Sequence, residues 1–290
     1  MIARGTAIAL ALLCAGCGLW GGDTEEAEPA PMCMREDPGK RKLEGVAVRN
    51  PTGVAFFEAA RIEGKARRNG NLSRIWFEDY TFKARPDGEG GYSGRRGAKA
   101  IPVDALDNIV NEMRALALTY PNGESDYAGL VAIGRPTPAA RVATTGEARY
   151  SGPVELRLLD LTSDGGSVVH SGQIDIAVRF SSADARATVS GLGAGAQFTQ
   201  INWDGLAVCN TRIASSGRGG FQFQDPDGRR INFAGPSDTS SSGTALLDAT
   251  FYGFDDALAR PAAIGGIVLI QGDSGVLQGV FAAPLSNQIE

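Results

Sequence analysis

The string Gly272-Asp273-Ser274-Gly275 has the residue types of a nucleophile loop. Chemistry at Ser274 would be acyl transfer. It would need a base within hydrogen-bond reach of the hydroxyl and a carboxylate to orient that base. The chain has a single histidine, His170, set in Ser167-Val168-Val169-His170-Ser171-Gly172. After Gly275 the chain runs on as Val276-Leu277, an apolar segment. The string therefore reads as a tight turn between two strands, where Asp and Gly belong for backbone reasons. A serine hydrolase using Ser274 is kept as the enzymatic alternative. His170 has no second histidine and no cysteine cluster beside it with zinc spacing. Gly191-Leu192-Gly193-Ala194-Gly195 lacks the third glycine spacing and the strand-to-helix setting of a dinucleotide site. Asp225-Pro226-Asp227-Gly228 lacks the remaining ligands of a calcium loop. No catalytic residue, metal ligand or cofactor is expected.

The four cysteines, Cys14, Cys17, Cys33 and Cys209, offer a different chemistry. Arg4 and an apolar run from Ala7 to Ala15 open the chain. That run is shorter than the ~20 residues that span a bilayer. A basic start, a short apolar stretch and small residues form an export signal. Ala15-Gly16-Cys17 resembles the lipobox of bacterial lipoproteins, which implies a signal peptide over 1–16 and lipidation of Cys17. The family usually carries Leu where Cys14 stands; an ordinary cleaved signal and an uncleaved anchor are the alternatives. Gly18, by resemblance to the sorting rule of Gram-negative lipoproteins, permits passage to the outer membrane. Residues 17–42 are rich in Gly, Pro and charge without hydrophobic period, and form a flexible tether. With Cys14 removed and Cys17 acylated, Cys33 and Cys209 remain as a possible disulfide in an oxidising envelope. The alternative is a mobile Cys33 and a buried Cys209 that acts as a small hydrophobe.

These groups must be carried by something. The 290 residues are 43% hydrophobic and 21% charged, with 39 glycines and a formal net charge of −5. That is a globular composition, and the acidic balance argues against nucleic acid as a partner. Residues 43–135 read as a small α+β domain. Leu43–Asn50, Gly53–Lys65 and Ser73–Asp87 have strand chemistry. Val103, Leu106, Val110, Met113 and Ala117 fall at helical spacing, with Asp104 and Asp107 in the first turns and Pro121-Asn122-Gly123 at the end. Residues 134–146 form a domain boundary. Beyond it about eight short apolar segments, separated by Gly, Ser and Asp turns, predict a closed antiparallel barrel or a sandwich. Glu155, Arg157, Asp175, Arg179, Arg186 and Arg212 interrupt the alternation, so the outer face is expected to stand in water rather than lipid.

The ends of this second region carry a resemblance. Phe251, Tyr252 and Gly253, then Gly265 and Gly266, then Gly279, Phe281 and Ala282 resemble the closing strands of the β-barrel domain of transferrin-binding protein B. Related barrels occur in single-lobe surface lipoproteins such as factor H-binding protein. The resemblance covers residues 143–283. It implies a mainly β protein: a C-terminal eight-stranded antiparallel β-barrel beside a smaller α+β handle domain over 43–135. It also implies a lipid-anchored protein of the outer membrane or cell surface of a Gram-negative bacterium. Such a protein would capture an extracellular protein or an iron- or haem-related ligand without catalysis. A structural envelope adaptor that binds another outer-membrane component is the rival reading.

Overall fold

The computed structural model describes residues 42–49, 57–68, 71–84, 91–103, 106, 113–122, 125–160, 167–192, 199–215, 221–224, 230–231, 244–272 and 275–286. The predicted signal peptide and the tether up to residue 41 lie outside them.

Residues 42–134 form a closed barrel of eight antiparallel strands. These are β1 (Lys42–Arg49), β2 (Glu58–Ala66), β3 (Leu72–Phe77), β4 (Tyr80–Ala84), β5 (Tyr92–Ser93), β6 (Lys99–Pro102), β7 (Met113–Asn122) and β8 (Ser125–Gly134). Each pairs with the next, and β1 closes on β8 through Gly45↔Ile133 and Ala47↔Val131. The α+β handle expected here is thus corrected to a second barrel. The expected helix is corrected with it: its C-terminal half, Met113–Asn122, is a strand paired with β8 over its whole length. The reason is burial on both faces. Leu116, Leu118 and Tyr120 point into this barrel, whereas Met113, Ala115 and Ala117 point outward and are buried too. A strand covered on both sides loses its period of two and reads as a continuous apolar run.

Residues 147–284 form the second barrel. Its staves are β9 (Glu147–Asp160), β10 (Ser167–Arg179), β11 (Asp184–Ser190), β12 (Gln200–Cys209), β13 (Arg212–Ala214), β16 (Thr244–Tyr252), β17 (Ala263–Gly272) and β18 (Gly275–Pro284). β18 returns to pair with β9, and β11 with β12, so the circuit closes. A hairpin of β14 (Phe221–Gln224) and β15 (Arg230–Ile231) lengthens the free edge of β12. The barrel is filled by side chains at alternate positions, among them Tyr150, Ile176, Trp203, Phe251 and Phe281, each 1% exposed or less. Tyr150 and Phe180 each set a ring about 6 Å from Phe251 (6.0 and 5.9 Å), where aromatic pairs add to area burial.

The two barrels lie side by side along a dry seam. Val46, Val48, Met113, Ala115, Ala117, Leu130 and Ala132 of the first share one apolar cluster with Tyr252, Ile267, Leu269, Val276, Val280 and Ala282 of the second. The connecting segment is tied down as well. Thr137 donates its backbone N–H to Phe251 O at 2.8 Å and its hydroxyl to Gly253 O at 2.5 Å. Gly253 donates back to Arg135 O at 3.2 Å.

Candidate functional site

The seam carries the buried charges. β16 alternates Leu247, Ala249 and Phe251 into its own barrel with Asp248, Thr250 and Tyr252 toward the other. Asp248 is 5% exposed. One of its oxygens accepts from Arg212 Nη2 of β13 at 2.6 Å, the other from Arg61 Nη2 of β2 at 3.0 Å. Arg61 Nη1 also reaches Thr250 Oγ1 at 3.4 Å. A carboxylate held between two guanidiniums, one from each barrel, is a charge-assisted clamp. It is also costly to open, because each buried charge then loses the partner that offsets its desolvation. Arg212 was expected on a water-facing surface. It does point out of its own barrel, but the first barrel covers it, leaving 8% exposed.

Beside the clamp is a cavity of about 420 Å³ lined by Phe57, Ala59, Ala60, Leu246 and Leu269 and by Glu58, Arg61, Arg212, Asp248 and Gln271. Gln271 fixes its rim by accepting the Phe57 N–H at 2.7 Å. The volume falls within the range of small-ligand sites. Its walls are mainly apolar, and the charges at one end, Arg61 and Arg212 with Asp248 and Glu58, balance, the two guanidiniums being held by Asp248. Sequence reasoning missed this site: Arg61, Arg212 and Asp248 are far apart in the chain, and a lone charge in an alternating strand looks like a solvated outer face.

The nucleophile-like string falls elsewhere. β17 ends at Gly272 and β18 begins at Gly275, and the two pair directly; Asp273 and Ser274 between them lie outside the described residues. His170 sits on β10 opposite Leu156 of β9, which is opposite Gly279 of β18. Gly275 is opposite Asp160. His170 is therefore four residues along and two strands across from Gly275, roughly 13 Å by 10 Å at normal strand spacings. A general base must come within about 3 Å of the hydroxyl it activates. Among the described residues no group of three or more His, Cys, Asp or Glu could hold a metal. No helix there is long and apolar enough to cross a membrane.

Cys209 closes β12 and is disulfide-bonded. Its partner lies outside the described residues, as do Cys17 and Cys33. The motif residues come together at the seam and in the core beneath it. Phe251 and Phe281 fill the second barrel. The Tyr252 hydroxyl donates across the seam to Glu44 O at 3.3 Å and Ala132 O at 3.5 Å. Gly265 faces Met113: a Cβ there would lie 2.0 Å from its Sδ. Gly266 lies beneath it against β16, and Gly279 against Leu156. Ala282 packs in the seam cluster. The motif thus encodes the second barrel's core at Phe251, Phe281 and Gly279 and its contact with the first barrel at Tyr252, Gly265 and Ala282.

No protein-family model matches the chain, and no curated protein matches it. Solved structures do. Transferrin-binding protein B from Haemophilus parasuis, carrying Tyr-167-Ala and Trp-176-Ala, matches 84% of this chain and 44% of its own at 12% identity and a TM-score of 0.52. The isotype 1 transferrin-binding protein B of serogroup B Neisseria meningitidis matches 84% and 43% at 14% identity and a TM-score of 0.51. The chain has a fold like transferrin-binding protein B and spans less than half the length of these structures.

Proposed function

We propose that this is a lipid-anchored binding protein of the outer membrane or cell surface of a Gram-negative bacterium, non-catalytic, that captures a protein or an iron- or haem-related ligand. One observation carries the reading: two barrels fused along a seam, in the fold of proteins named for binding transferrin. The distance between His170 and Gly275 supports a role without acyl transfer. Cys17 supplies the anchor in this reading. A Cys33–Cys209 bridge ties the tether to the second barrel, stabilising it by roughly 4–5 kcal/mol in the chain-entropy account.

Three measurements test the proposal. Purified protein on a solid support should retain a defined extracellular protein or iron carrier, identified by mass spectrometry; retention of only an envelope component makes the protein an adaptor instead. In fractionated cells, Cys17→Ser should convert a membrane-held protein into one removed by salt and carbonate. Alkylation of unfolded, non-reduced protein should find neither Cys33 nor Cys209 free.

A further inference from the structure

A row of cations crosses the outer face of the first barrel. The strand register sets Lys42 opposite Lys65, Lys65 opposite Arg74, Arg74 opposite Lys83, Lys83 opposite Ser93 and Ser93 opposite Lys99. Every member is exposed. Neighbours along the row are thus one strand spacing apart, about 4.8 Å. Like charges directly opposite one another destabilise a sheet. Lys42 has Glu63 at 2.7 Å and Glu44 at 3.6 Å, but Lys65, Arg74, Lys83 and Lys99 form no ion pair among the described residues. The second barrel treats its surface differently: Arg179 pairs with Asp184, Arg186 with Asp204 and Arg157 with Glu155. In a chain of net charge −5, an unneutralised row that costs the fold stability points to an anionic partner.

Two further features identify its kind. Trp76 and Ile101, 38% and 51% exposed, stand on the same outward face two residues beyond Arg74 and Lys99. An aromatic and an aliphatic side chain beside clustered cations form the pattern of an interfacial surface, apolar groups entering the head-group boundary and cations meeting its phosphates. The row also begins at Lys42, where the tether enters the fold. With Cys17 anchored in lipid, as proposed above, this face would be held near the membrane at high effective concentration.

We propose that the outward face of β2–β6, with Lys42 at its edge, is a docking surface for the phosphate head groups of an anionic lipid bilayer. Arg74 supplies a planar two-point donor for a phosphate and the lysines act as point charges. The identity of the surface rests on the anchored reading of Cys17; the electrostatics do not.

The test uses the full chain with Cys17→Ser, so that no acyl chain contributes, and the same chain carrying Lys65→Gln, Arg74→Gln and Lys83→Gln. Both keep residues 1–16, so their difference reports the row alone. Co-sedimentation is measured with vesicles of phosphatidylcholine and of phosphatidylcholine mixed with phosphatidylglycerol. The unmodified row should bind the anionic vesicles preferentially, and more weakly as salt rises. The triple variant should bind them at least about tenfold more weakly, with an unchanged circular dichroism spectrum. Trp76→Ala should give a smaller loss. Equal binding by the two chains, no preference for the anionic vesicles, or retention on heparin without vesicle binding overturns the proposal. Acylation of Cys17, read by mass spectrometry of the unmutated protein, stands or falls separately.

Discussion

The first barrel and the second have the same strand count and different construction. The second has long staves, up to the 14 residues of β9, an aromatic interior and charges paired across strands at Arg179–Asp184 and Arg186–Asp204 and along β9 at Arg157–Glu155. Arg179 meets both oxygens of Asp184 at 2.8 and 2.7 Å; its hydrogen bond and charge hold that carboxyl below the usual carboxylate range. The first has short staves, one of only two residues, and leaves most of its cationic row unpaired. Each closes its apolar surface only by lying against the other: Val46, Val48, Ala115, Ala117 and Leu130 of the first and Ile267, Leu269, Val276, Val280 and Ala282 of the second are outer-face residues and would be wet if either stood alone. One sector of its outer surface is a seam and another a charged face, and the seam fixes which way the charged face points.

If the barrels depend on each other in this way, the clamp between them gives the largest effect of any single side chain. Asp248→Ala removes the one carboxylate facing two guanidiniums and leaves Arg212 buried without it. We expect a loss of ~3–5 kcal/mol, read as a lower urea midpoint. Arg61→Ala, at the more exposed end, should cost about 1 kcal/mol or less, because Arg212 still holds Asp248. Two separate unfolding transitions in the wild-type protein, of which Asp248→Ala shifts only the second, would show the barrels to be independent.

A smaller effect sharpens the same comparison at Gly265 and Met113. Gly265→Ala places a methyl group on the Met113 sulfur and should cost roughly 1–3 kcal/mol by overpacking. Met113→Ala opens a hole in the first barrel's outer face and should cost about 2–5 kcal/mol. Together they should cost less than their sum, by 0.5 kcal/mol or more, as contacting residues do. Strict additivity would mean that the side chains do not meet across the seam. Gly266→Ala offers no such rescue, because its new methyl group would meet the backbone of β16.

The second barrel was legible in the sequence because strands away from the seam, such as Gln173–Arg179, alternate cleanly, with Ile174, Ile176 and Val178 inside and Gln173, Asp175, Ala177 and Arg179 outside. The first was legible in part: Leu43–Asn50, Gly53–Lys65 and Ser73–Asp87 read as strands and hold β1, β2 and β3–β4, but its closure did not show. β7 is buried on both faces, so its alternation vanishes, and apolar residues between Val103 and Ala117 fell by chance at helical spacing. Tertiary packing overrode that local signal. The closing motif was legible as a pattern, but its meaning was not: Tyr252 and Gly265 make sense only once a second barrel lies opposite them. The clamp was illegible for the same reason. Arg212 looks solvated in its own strand, and the clamp forms only when Asp248 holds it on one side and meets Arg61 of the first barrel on the other.

The smallest expected effect is at Ser274. Gly272 and Gly275 on either side are directly paired, and Asp273-Ser274 has the composition of a tight turn. Turn positions of this kind are filled for backbone reasons, and a serine hydroxyl there contributes little beyond a weak local hydrogen bond. The single histidine of the chain is held on another strand of the same rigid barrel, and side-chain motion does not span a separation of more than ten ångströms. Ser274→Ala should therefore leave the urea midpoint within about 0.5 kcal/mol of the wild type and leave ligand capture unchanged. Asp248→Ala, which touches neither the turn nor His170, should perturb both. A hydrolytic activity that co-purifies with the chain and disappears in Ser274→Ala, with the midpoint unmoved, would reverse the assignment and put the chemistry at the turn rather than at the seam.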